Sequence, residues 1–443
     1  MASDASWTEA HVRRLFWRAG FGPAPGEAER WAAAGKRATL RWVLDGGGGP
    51  ELVGPEPRID GRPLDPENEW GHDVLWWLDR MVRSQRPLVE KMTLFWHDHF
   101  ATSGQETPLM LRQNHTFRRH ALGSFRKLLR ADTADPAMQL FLSLADSHRD
   151  APNENYAREV MELFALGRGY GERDIREASR ALTGFVSEWD DGFRGIRYVR
   201  ANHDSGRKRI FGQRGRFDWR GVVDLVCDHR AHAPFLVEKL WSFFITRPLD
   251  GGTRRELVRA YRRSRLRVKP VVAAILRHPA LYADLDRPDM VKCPAVFVAG
   301  NLRTIGAGVD RDSWAWLMEG MGQYLFEPPS VAGWDWGPAW LSTNSIRARF
   351  QAVNRLFHDR GPLEVPDNST PTDLSPQQAL DRARAAVGDP WTSPETDAAL
   401  LRMGEAFFSD VKPREQWKRV QRSDHRERAL RHLLLSGPDA QVH

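Results

Sequence analysis

The chain has 443 residues, of which 41% are hydrophobic and 28% are charged. That balance is typical of a soluble protein with a sizeable core, and it excludes a chain too polar to fold. The formal charge of +7 comes from arginines that are spread along the whole chain and mixed with acids. A nucleic-acid interface would need clustered basic residues, so we expect no nucleic-acid partner.

Two cysteines, Cys227 and Cys293, are too few for a disulfide framework or a cysteine-rich zinc site. Arg13 and Arg14 are not followed by an apolar stretch, so the N-terminus does not resemble a signal peptide. No segment approaches the ~18 apolar residues of a membrane span. As the sequence stands, we expect a cytoplasmic protein without a transmembrane segment.

Helical periodicity begins at the N-terminus, where TEAHVRRLFWRAGFG predicts an amphipathic helix that ends at Gly20. One or two helices follow, then a loop over about residues 46–69, then the helical segment GHDVLWWLDRMVRS. Pro87 fits the first position of the helix PLVEKMTLFWHDHF. Further helices are predicted at 106–130, 135–146, 154–166, 172–187, 219–228, 233–246, 254–264, 268–278, 293–305 and 344–357. The sequence therefore predicts a mainly α protein, a large multi-helix domain.

One stretch departs from helical periodicity. Short β-type runs lie on either side of HDSG, residues 203–206, whose Asp, Ser and Gly suit a turn. We predict a β-hairpin inserted near residues 190–215. Proline, aspartate and threonine dominate after HDRGPLEVP, and helical patterning returns after about residue 375. The predicted domains are a main helical domain over 1–365 and, over 366–443, a linker with C-terminal helices packed on it.

The segment NENYAREVMELFALG carries the most informative carboxylates. On a helical wheel Glu159 falls at the edge of the apolar arc, with Asn155 and Glu162 beside it. One interpretation is a general acid, a general base or a metal ligand whose pKa is tuned by burial. The other is a buried ion pair or a bond to a loop backbone, and the pattern favours neither.

Lys239 lies between Phe235 and Phe243 on the apolar face of HAPFLVEKLWSFFITRP. Lysine is seldom buried without a partner, and a pair with a carboxylate such as Glu159 would satisfy both groups. We favour this structural role over a catalytic lysine. His232, just before this helix, is expected to be a cap or a solvent contact.

The stretch LFWHDHFATS contains His97 and His99, which point to nearly opposite sides of a continuous helix. One metal ion cannot take both unless the helix ends near residue 97. A histidine in the last helical turn is also favoured by the helix dipole and can bond the free carbonyls. This stretch alone therefore does not form a metal site.

Two loops supply further candidates. His203 and Asp204 either belong to an ordinary turn or present an imidazole and a carboxylate from a loop, where sites are common. LFEPPSVAGWDWGPAWLST places Trp334 and Trp336 in a rigid loop before a helix capped by Ser342 or Thr343. Such a loop suits the wall of a ligand site, and it equally suits a loop pinned onto a core.

Ordered blocks such as RLFWRAGFGP, LVEKMTLFWHDHFATS, PNENYAREVMELFALGRG, HDSGRKRIFG and LFEPPSVAGWDWGPAWLST resemble the bacterial family known as domain of unknown function 1800. The resemblance covers nearly the whole chain. It implies a large, mostly helical bacterial protein, often exported in other members, without an established activity.

The family's motif positions fall on Glu90, His97, His99, Asn153, Glu154, Asn155, Arg158, Glu159, Glu162, His203, Asp204, Gly206 and Lys208. Two residues depart from its pattern. Asp98 stands where Asn is usual, and Val296 stands where an acid follows the KCPA motif. The second departure weakens any site that would need that carboxylate.

Two functional hypotheses follow. The first is a hydrolase-type enzyme with a polar cleft and a divalent metal as a candidate cofactor, acting on a small molecule or a glycan. Its candidate residues are Glu159, His203, Asp204 and Lys239 for catalysis, His97, His99 and Glu162 for metal, and Asn155, Arg158, Trp334 and Trp336 for substrate. The alternative is a non-catalytic binding or assembly protein that uses the Trp-rich loop for glycan or cell-envelope partners.

Overall fold

The computed structural model describes residues 7–145, 147–190, 192–357, 361, 363–412 and 414–443. Within these ranges it has twenty α-helices and three two-stranded antiparallel sheets, which confirms the predicted mainly α class. The chain divides into two compact units. Unit 1 comprises Met1–Pro87, Tyr282–Tyr324 and Asp335–His443, and unit 2 comprises Leu88–Leu281 and Leu325–Trp334. A domain division at residue 365 stays a prediction.

In chain order the helices are α1 Glu9–Ala19, α2 Glu27–Ala34, α3 Lys36–Asp45, α4 His72–Arg83, α5 Pro87–His99, α6 Thr107–His120, α7 Phe125–Thr133, α8 Pro136–Phe141, α9 Asn155–Glu159, α10 Glu172–Leu182, α11 Trp219–Asp228, α12 His232–Phe244, α13 Gly251–Arg263, α14 Val268–Arg277, α15 Pro294–Thr304, α16 Ser313–Gly320, α17 Thr343–Arg355, α18 Pro376–Ala386, α19 Pro394–Ala406 and α20 Gln416–Ser436. The strands are β1 Arg58–Ile59, β2 Arg62–Pro63, β3 Phe185–Trp189, β4 Phe193–Tyr198, β5 Lys208–Ile210 and β6 Gln213–Gly215. A π-helical turn, Val160–Ala165, continues α9.

Several boundaries differ from the predicted ones for local reasons. The predicted helix 106–130 is α6 and α7, because the chain turns at Gly123, whose N–H bonds the His120 carbonyl. The predicted helix 172–187 ends at Leu182, where Thr183 adopts an extended backbone and β3 follows. The predicted helix 135–146 is shorter, and its last position, residue 146, lies outside the described residues.

The β structure near residues 190–215 consists of two hairpins. Strand β3 pairs with β4, and β5 pairs with β6. Residues 203–206 lie between the hairpins, so the predicted turn exists but joins two hairpins instead of closing one. Residue 191 of the predicted segment lies outside the described residues. The expected inserted β element is thus confirmed, with one strand pair more than predicted.

The core of unit 2 forms around α5, whose side chains are buried except at Val89 and Asp98. At its end, the ring of Phe100 lies 5.2 Å from that of Phe164 and 6.1 Å from that of Phe125, centroid to centroid. This aromatic packing brings the polar end of α5 against the π-helical turn. No helix in the described ranges is long and apolar enough to cross a membrane.

Candidate functional site

The last turn of α5 holds the segment 325–334 by its backbone. Nε2 of His97 accepts a hydrogen bond from the Phe326 N–H at 3.1 Å. Oδ1 of Asp98 accepts one from the Trp334 N–H at 2.9 Å. Burial lowers the pKa of His97 to about 3, so its imidazole is neutral and can act as this acceptor. These two neighbouring side chains therefore fix the start of the Trp-rich loop.

His99 lies on another face of α5 and contacts other segments. Its Nε2 lies 2.8 Å from the Phe164 carbonyl, and its Nδ1 lies 3.4 Å from the Lys239 ammonium. A carbonyl only accepts and an ammonium only donates, so we assign the proton of neutral His99 to Nε2. Burial, reinforced by the charge of Lys239, lowers the pKa of His99 well below its usual value. Both ring nitrogens are thus engaged within the protein.

The end of the π-helical turn is held by three basic side chains, which we call the basic cap. Lys239 donates to the Leu163 carbonyl at 3.1 Å and His99 to the Phe164 carbonyl. Nδ1 of His232 lies 3.1 Å from the carbonyl of Ala165, the next residue. The final carbonyls of a helix lack intrahelical partners, and the basic cap satisfies three consecutive ones.

His232 has a more buried role than expected. It is fully buried, and its Nε2 accepts from the Tyr261 hydroxyl at 3.0 Å. Burial lowers the pKa of His232 to about 4. The expectation of an ordinary cap or solvent contact was therefore wrong. Its spacing of seven residues from Lys239, which places both on one face of α12, is the sequence signal that could have shown it.

The contacts of Lys239 differ from the pairing with a carboxylate such as Glu159 that the sequence suggested. Its ammonium contacts the Leu163 carbonyl and His99, and it lies 5.1 Å from the centre of the Phe235 ring. Burial lowers the pKa of Lys239, and the charge of Asp98 opposes that effect. Lys239 thus takes a structural position, with backbone and imidazole as its partners in place of Glu159.

Glu159, at the end of α9, and Glu162, in the π-helical turn, form what we call the acidic face together with Tyr170. Glu159 is half-buried and Glu162 is exposed. Burial raises the pKa of the Glu159 carboxyl, and the charge of Glu162 raises it further. The pKa of the half-buried Tyr170 is raised by burial and by the same two carboxylates. The charge of Glu162 therefore acts on the protonation of both Glu159 and Tyr170.

The two substrate-binding candidates beside the acidic face lie at its solvent side. The guanidinium of Arg158 pairs with Glu172 at 2.9 Å and with Glu154 at 3.2 Å. Asn155 is exposed, and its N–H donates to Oδ1 of the Asn153 side chain at 2.9 Å. Exposed ion pairs of this kind contribute little stability, so Arg158 is available for a ligand at small cost.

His203 and Asp204 belong to a turn that is ordered by α10 and by its own lysine. Nδ1 of His203 lies 3.0 Å from the Thr183 carbonyl, and Asp204 pairs with Arg180 at 2.7 Å. Burial opposes ionisation of Asp204, yet the Arg180 hydrogen bond keeps its pKa below the usual value. The buried ammonium of Lys208 donates to the carbonyls of Asp204 and Gly206 within the same turn. This network accounts for the motif HDSGRK as a unit.

The two tryptophans proposed for substrate differ in exposure. In unit 2, Trp334 is buried, and its ring centre lies 5.5 Å from that of His97. In unit 1, Trp336 is 36% exposed and its ring is perpendicular to that of the buried Trp340. Of the two, Trp336 is the one that presents a ring to solvent.

The candidate metal ligands do not converge in the part of the chain that the structure describes. Within those ranges no group of three or more His, Cys, Asp and Glu side chains is placed to hold one metal ion. His97 accepts a backbone hydrogen bond, and His99 has both nitrogens engaged. A role of His97, His99 and Glu162 as shared metal ligands stays a prediction that would require these contacts to break.

The family model described as "Protein of unknown function (DUF1800)" matches residues 14–442. Neither the comparison with curated proteins nor that with solved structures finds a significant match. Since the match spans essentially the whole chain and includes every residue of the acidic face and the basic cap, the protein belongs to the DUF1800 family.

Proposed function

We propose that unit 2 carries a hydrolase-type active site in which Glu159 is the general acid and base. The observation that supports this is the half-buried Glu159 carboxyl beside the Glu162 charge, on a helix that turns π-helical at the next residue. π-helical turns occur frequently at functional sites. A raised pKa makes a carboxyl a better proton acceptor when ionised, which favours general acid–base catalysis.

In the proposed step, ionised Glu159 accepts a proton from a water molecule as that water attacks the substrate. The proton then passes from the Glu159 carboxyl to the leaving group, so the carboxylate is regenerated. Glu162 keeps the pKa of Glu159 raised, because two adjacent carboxylates resist being charged together. Arg158 and Asn155 flank the acidic face and would contact a polar substrate. His203 and Asp204, in the turn at residues 203–206, are further candidate catalytic residues.

Within this proposal the basic cap has a positioning role. Lys239, His99 and His232 bind the carbonyls of the three residues after Glu162. None of the three side chains adds a carboxylate to the acidic face. By fixing the end of the π-helical turn, they fix the direction in which Glu159 and Glu162 project. A misplacement of the order of 1 Å can cost about 100-fold in rate, so such support matters for catalysis.

The proposal is tested with chromogenic substrates of several bond types, namely p-nitrophenyl acetate, bis-p-nitrophenyl phosphate and p-nitrophenyl glucoside. We expect turnover of at least one substrate, and a loss of about 10²–10⁴-fold in Glu159→Gln. Glu238→Gln serves as the control, because Glu238 is an exposed carboxylate on α12. Equal rates in Glu159→Gln and wild type, or no turnover of any substrate, would contradict the proposal.

A metal requirement is tested separately by elemental analysis of the purified protein and by dialysis against EDTA. Because His99 has both nitrogens engaged, we expect the Glu159-dependent rate to survive chelation. Loss of that rate on chelation and its return with Zn²⁺ would instead support the ligand set His97, His99 and Glu162.

A second candidate function, binding of a glycan, is favoured by the exposed ring of Trp336 in unit 1. An exposed, rigidly packed indole is suited to stacking against a sugar ring. Titration with chitohexaose, followed by tryptophan fluorescence, tests this idea. Binding that is lost in Trp336→Ala but kept in Trp417→Ala, another exposed tryptophan, would support it; equal binding by both variants would contradict it.

A further inference from the structure

Unit 1 contains a cavity of about 420 Å³ that none of the functions proposed above uses. One wall comes from α1, through Arg14 and Trp17, and another comes from α20, through Leu434. Lys292 and Trp391 complete the part of the lining that matters here. A volume of this size is ordinary for a small-molecule site, and the mixture of apolar walls with a few polar groups is typical of one.

Lys292 is a buried charged group of the lining. Its ammonium donates to the Ala440 carbonyl at 2.9 Å and lies 4.1 Å from the centre of the Trp17 ring. Among the described residues no carboxylate lies within ion-pair distance of it. An ammonium has three N–H donors, and a buried charge without a counter-charge is costly. Burial, with the nearby charge of Arg349, lowers the pKa of Lys292 to about 7.

The guanidinium behind Lys292 also has only neutral acceptors. Arg349 is fully buried and donates to the Lys292 carbonyl at 2.7 Å, to Gln441 Oε1 at 3.1 Å and to Ser345 Oγ at 3.3 Å. Its charge lies 4.8 Å from the centre of the Phe297 ring. Lys292 and Arg349 are therefore two neighbouring buried cations beside the cavity, and both donate to neutral acceptors.

The carboxylates that line the cavity are engaged elsewhere. Glu9 pairs with Arg13 at 3.3 Å, and Asp389 lies 3.8 Å from the same guanidinium. Asp439 accepts a hydrogen bond from the Ser393 N–H at 2.7 Å. The positive charge of Lys292 is thus left for a ligand to balance.

We propose that this cavity binds a small organic carboxylate, whose carboxylate pairs with the Lys292 ammonium and whose apolar body lies against Trp17 and Leu434. A phosphate site would be expected to offer a bidentate arginine or several backbone N–H groups. Here the guanidinium of Arg14 donates to the backbone carbonyls of Ala283 and Asp284. The Lys292 ammonium lies beside an aromatic ring and an aliphatic wall, which matches a carboxylate with an apolar substituent. The inference concerns unit 1 alone and does not depend on the function proposed for unit 2.

Isothermal titration at pH 7 with phenylacetate, hexanoate and indole-3-acetate tests the proposal directly. We expect at least one of them to bind wild type, and its affinity to fall about tenfold or more in Lys292→Met. The neutral analogue 2-phenylethanol and inorganic phosphate are expected not to bind. Lys412→Met, which removes an exposed lysine of the same unit, is the matched control and should bind as wild type does. Unchanged binding in Lys292→Met, binding of phosphate alone, or no binding of any carboxylate would overturn the proposal.

A second measurement needs no variant. When a carboxylate pairs with Lys292, the charged form of the lysine is stabilised and its pKa rises toward the usual value. Binding at pH 8 must then take up protons, which shows as a dependence of the binding enthalpy on the ionisation enthalpy of the buffer. Affinity should also fall about tenfold between pH 7 and pH 9 as the free site loses its charge. Binding without proton uptake would overturn the assignment of Lys292 as the partner.

Discussion

The Lys239 ammonium lies 3.4 Å from Nδ1 of His99, and the two side chains bind the carbonyls of consecutive residues. This contact joins α12 to α5 through the end of the helix that bears Glu159. Because they bind carbonyls of consecutive residues, a lysine and a histidine lie together inside unit 2. Burial and Lys239 hold His99 neutral, so the pair does not confront two positive charges.

Replacing His99 should destabilise the protein, because its side chain satisfies a buried backbone carbonyl. In His99→Ala the Phe164 carbonyl loses its buried donor, at an expected cost of about 1–3 kcal/mol in the free energy of unfolding. His99→Gln retains an amide N–H donor and should lose less. Urea unfolding at pH 7.5 measures both variants, with exposed His425→Ala as the control. A His99→Ala variant as stable as His425→Ala would contradict the role given to the basic cap.

The buried His232 should make stability depend on pH. Its folded pKa of about 4 lies below the usual 6.5, so between these values the unfolded chain binds more protons than the folded one. The free energy of unfolding therefore increases as the pH rises from about 4 to 6.5, and it decreases as the pH falls through the same range. From pH 6.5 to pH 5 the loss from this one histidine should reach about 2 kcal/mol.

Urea unfolding of wild type and His232→Asn at pH 7.5 and pH 5 isolates that contribution. The variant should be less stable at pH 7.5, because it loses the contact with Tyr261, and it should lose less stability on acidification. Parallel losses in the two proteins would show that His232 does not titrate between its folded and unfolded states as inferred.

The sequence was sufficient for the helical class and for the placement of Glu159, because both depend on local periodicity. Helix geometry also separated His97 from His99 correctly, since residues two apart on a continuous helix face different neighbours. In the structure the first holds Phe326 and the second holds Phe164.

The partners of these side chains could not be predicted, because they are backbone groups. A carboxylate able to pair with Lys239 is visible in a sequence, whereas the free carbonyls at the end of a π-helical turn are not. The carbonyls of Leu163, Phe164 and Ala165 lie at the end of the π-helical turn, where a helix leaves its carbonyls without intrahelical partners, and the sequence periodicity does not show where that turn ends. The buried charges of Lys292 and Arg349 were hidden for the same reason, since their acceptors come from distant segments.

The coupling between Glu162 and Glu159 should appear in the pH dependence of the reaction proposed for unit 2. The Glu162 charge raises the pKa of Glu159, so Glu162→Gln should move the acidic limb of the pH–rate profile to lower pH. Glu238→Gln removes an exposed carboxylate of α12 and should leave that limb in place. Profiles of kcat/KM on whichever chromogenic ester or glycoside is hydrolysed supply the measurement. If the acidic limb did not move in Glu162→Gln, the charge of Glu162 would have no influence on the protonation of Glu159.

The contact between Asp98 and the loop that ends at Trp334 needs only an oxygen acceptor, so an asparagine at position 98 should be tolerated. Either side chain offers an Oδ1 that accepts the Trp334 N–H, so Asp98→Asn should change the free energy of unfolding by less than about 0.5 kcal/mol. Asp98→Ala removes the acceptor and should cost about 1–3 kcal/mol. Equal effects of the two substitutions in urea unfolding would mean that the charge of Asp98, and not its acceptor, holds the loop.

Gly333, next to that contact, should be the least replaceable residue of the loop. Its φ of +86° is strained for any other residue, and an added Cβ would lie 2.4 Å from Asp98 Oδ1 and 2.6 Å from the Asp98 carbonyl oxygen. Gly104, with φ +66° and open space around it, supplies a control that carries the strain without the clash. We expect Gly104→Ala to cost about 1 kcal/mol, and Gly333→Ala to cost at least about 2 kcal/mol more. If thermal and urea unfolding gave the same loss for both, the close approach of the loop to the end of α5 would be wrong, and with it the role of His97 and Asp98 in fixing that loop.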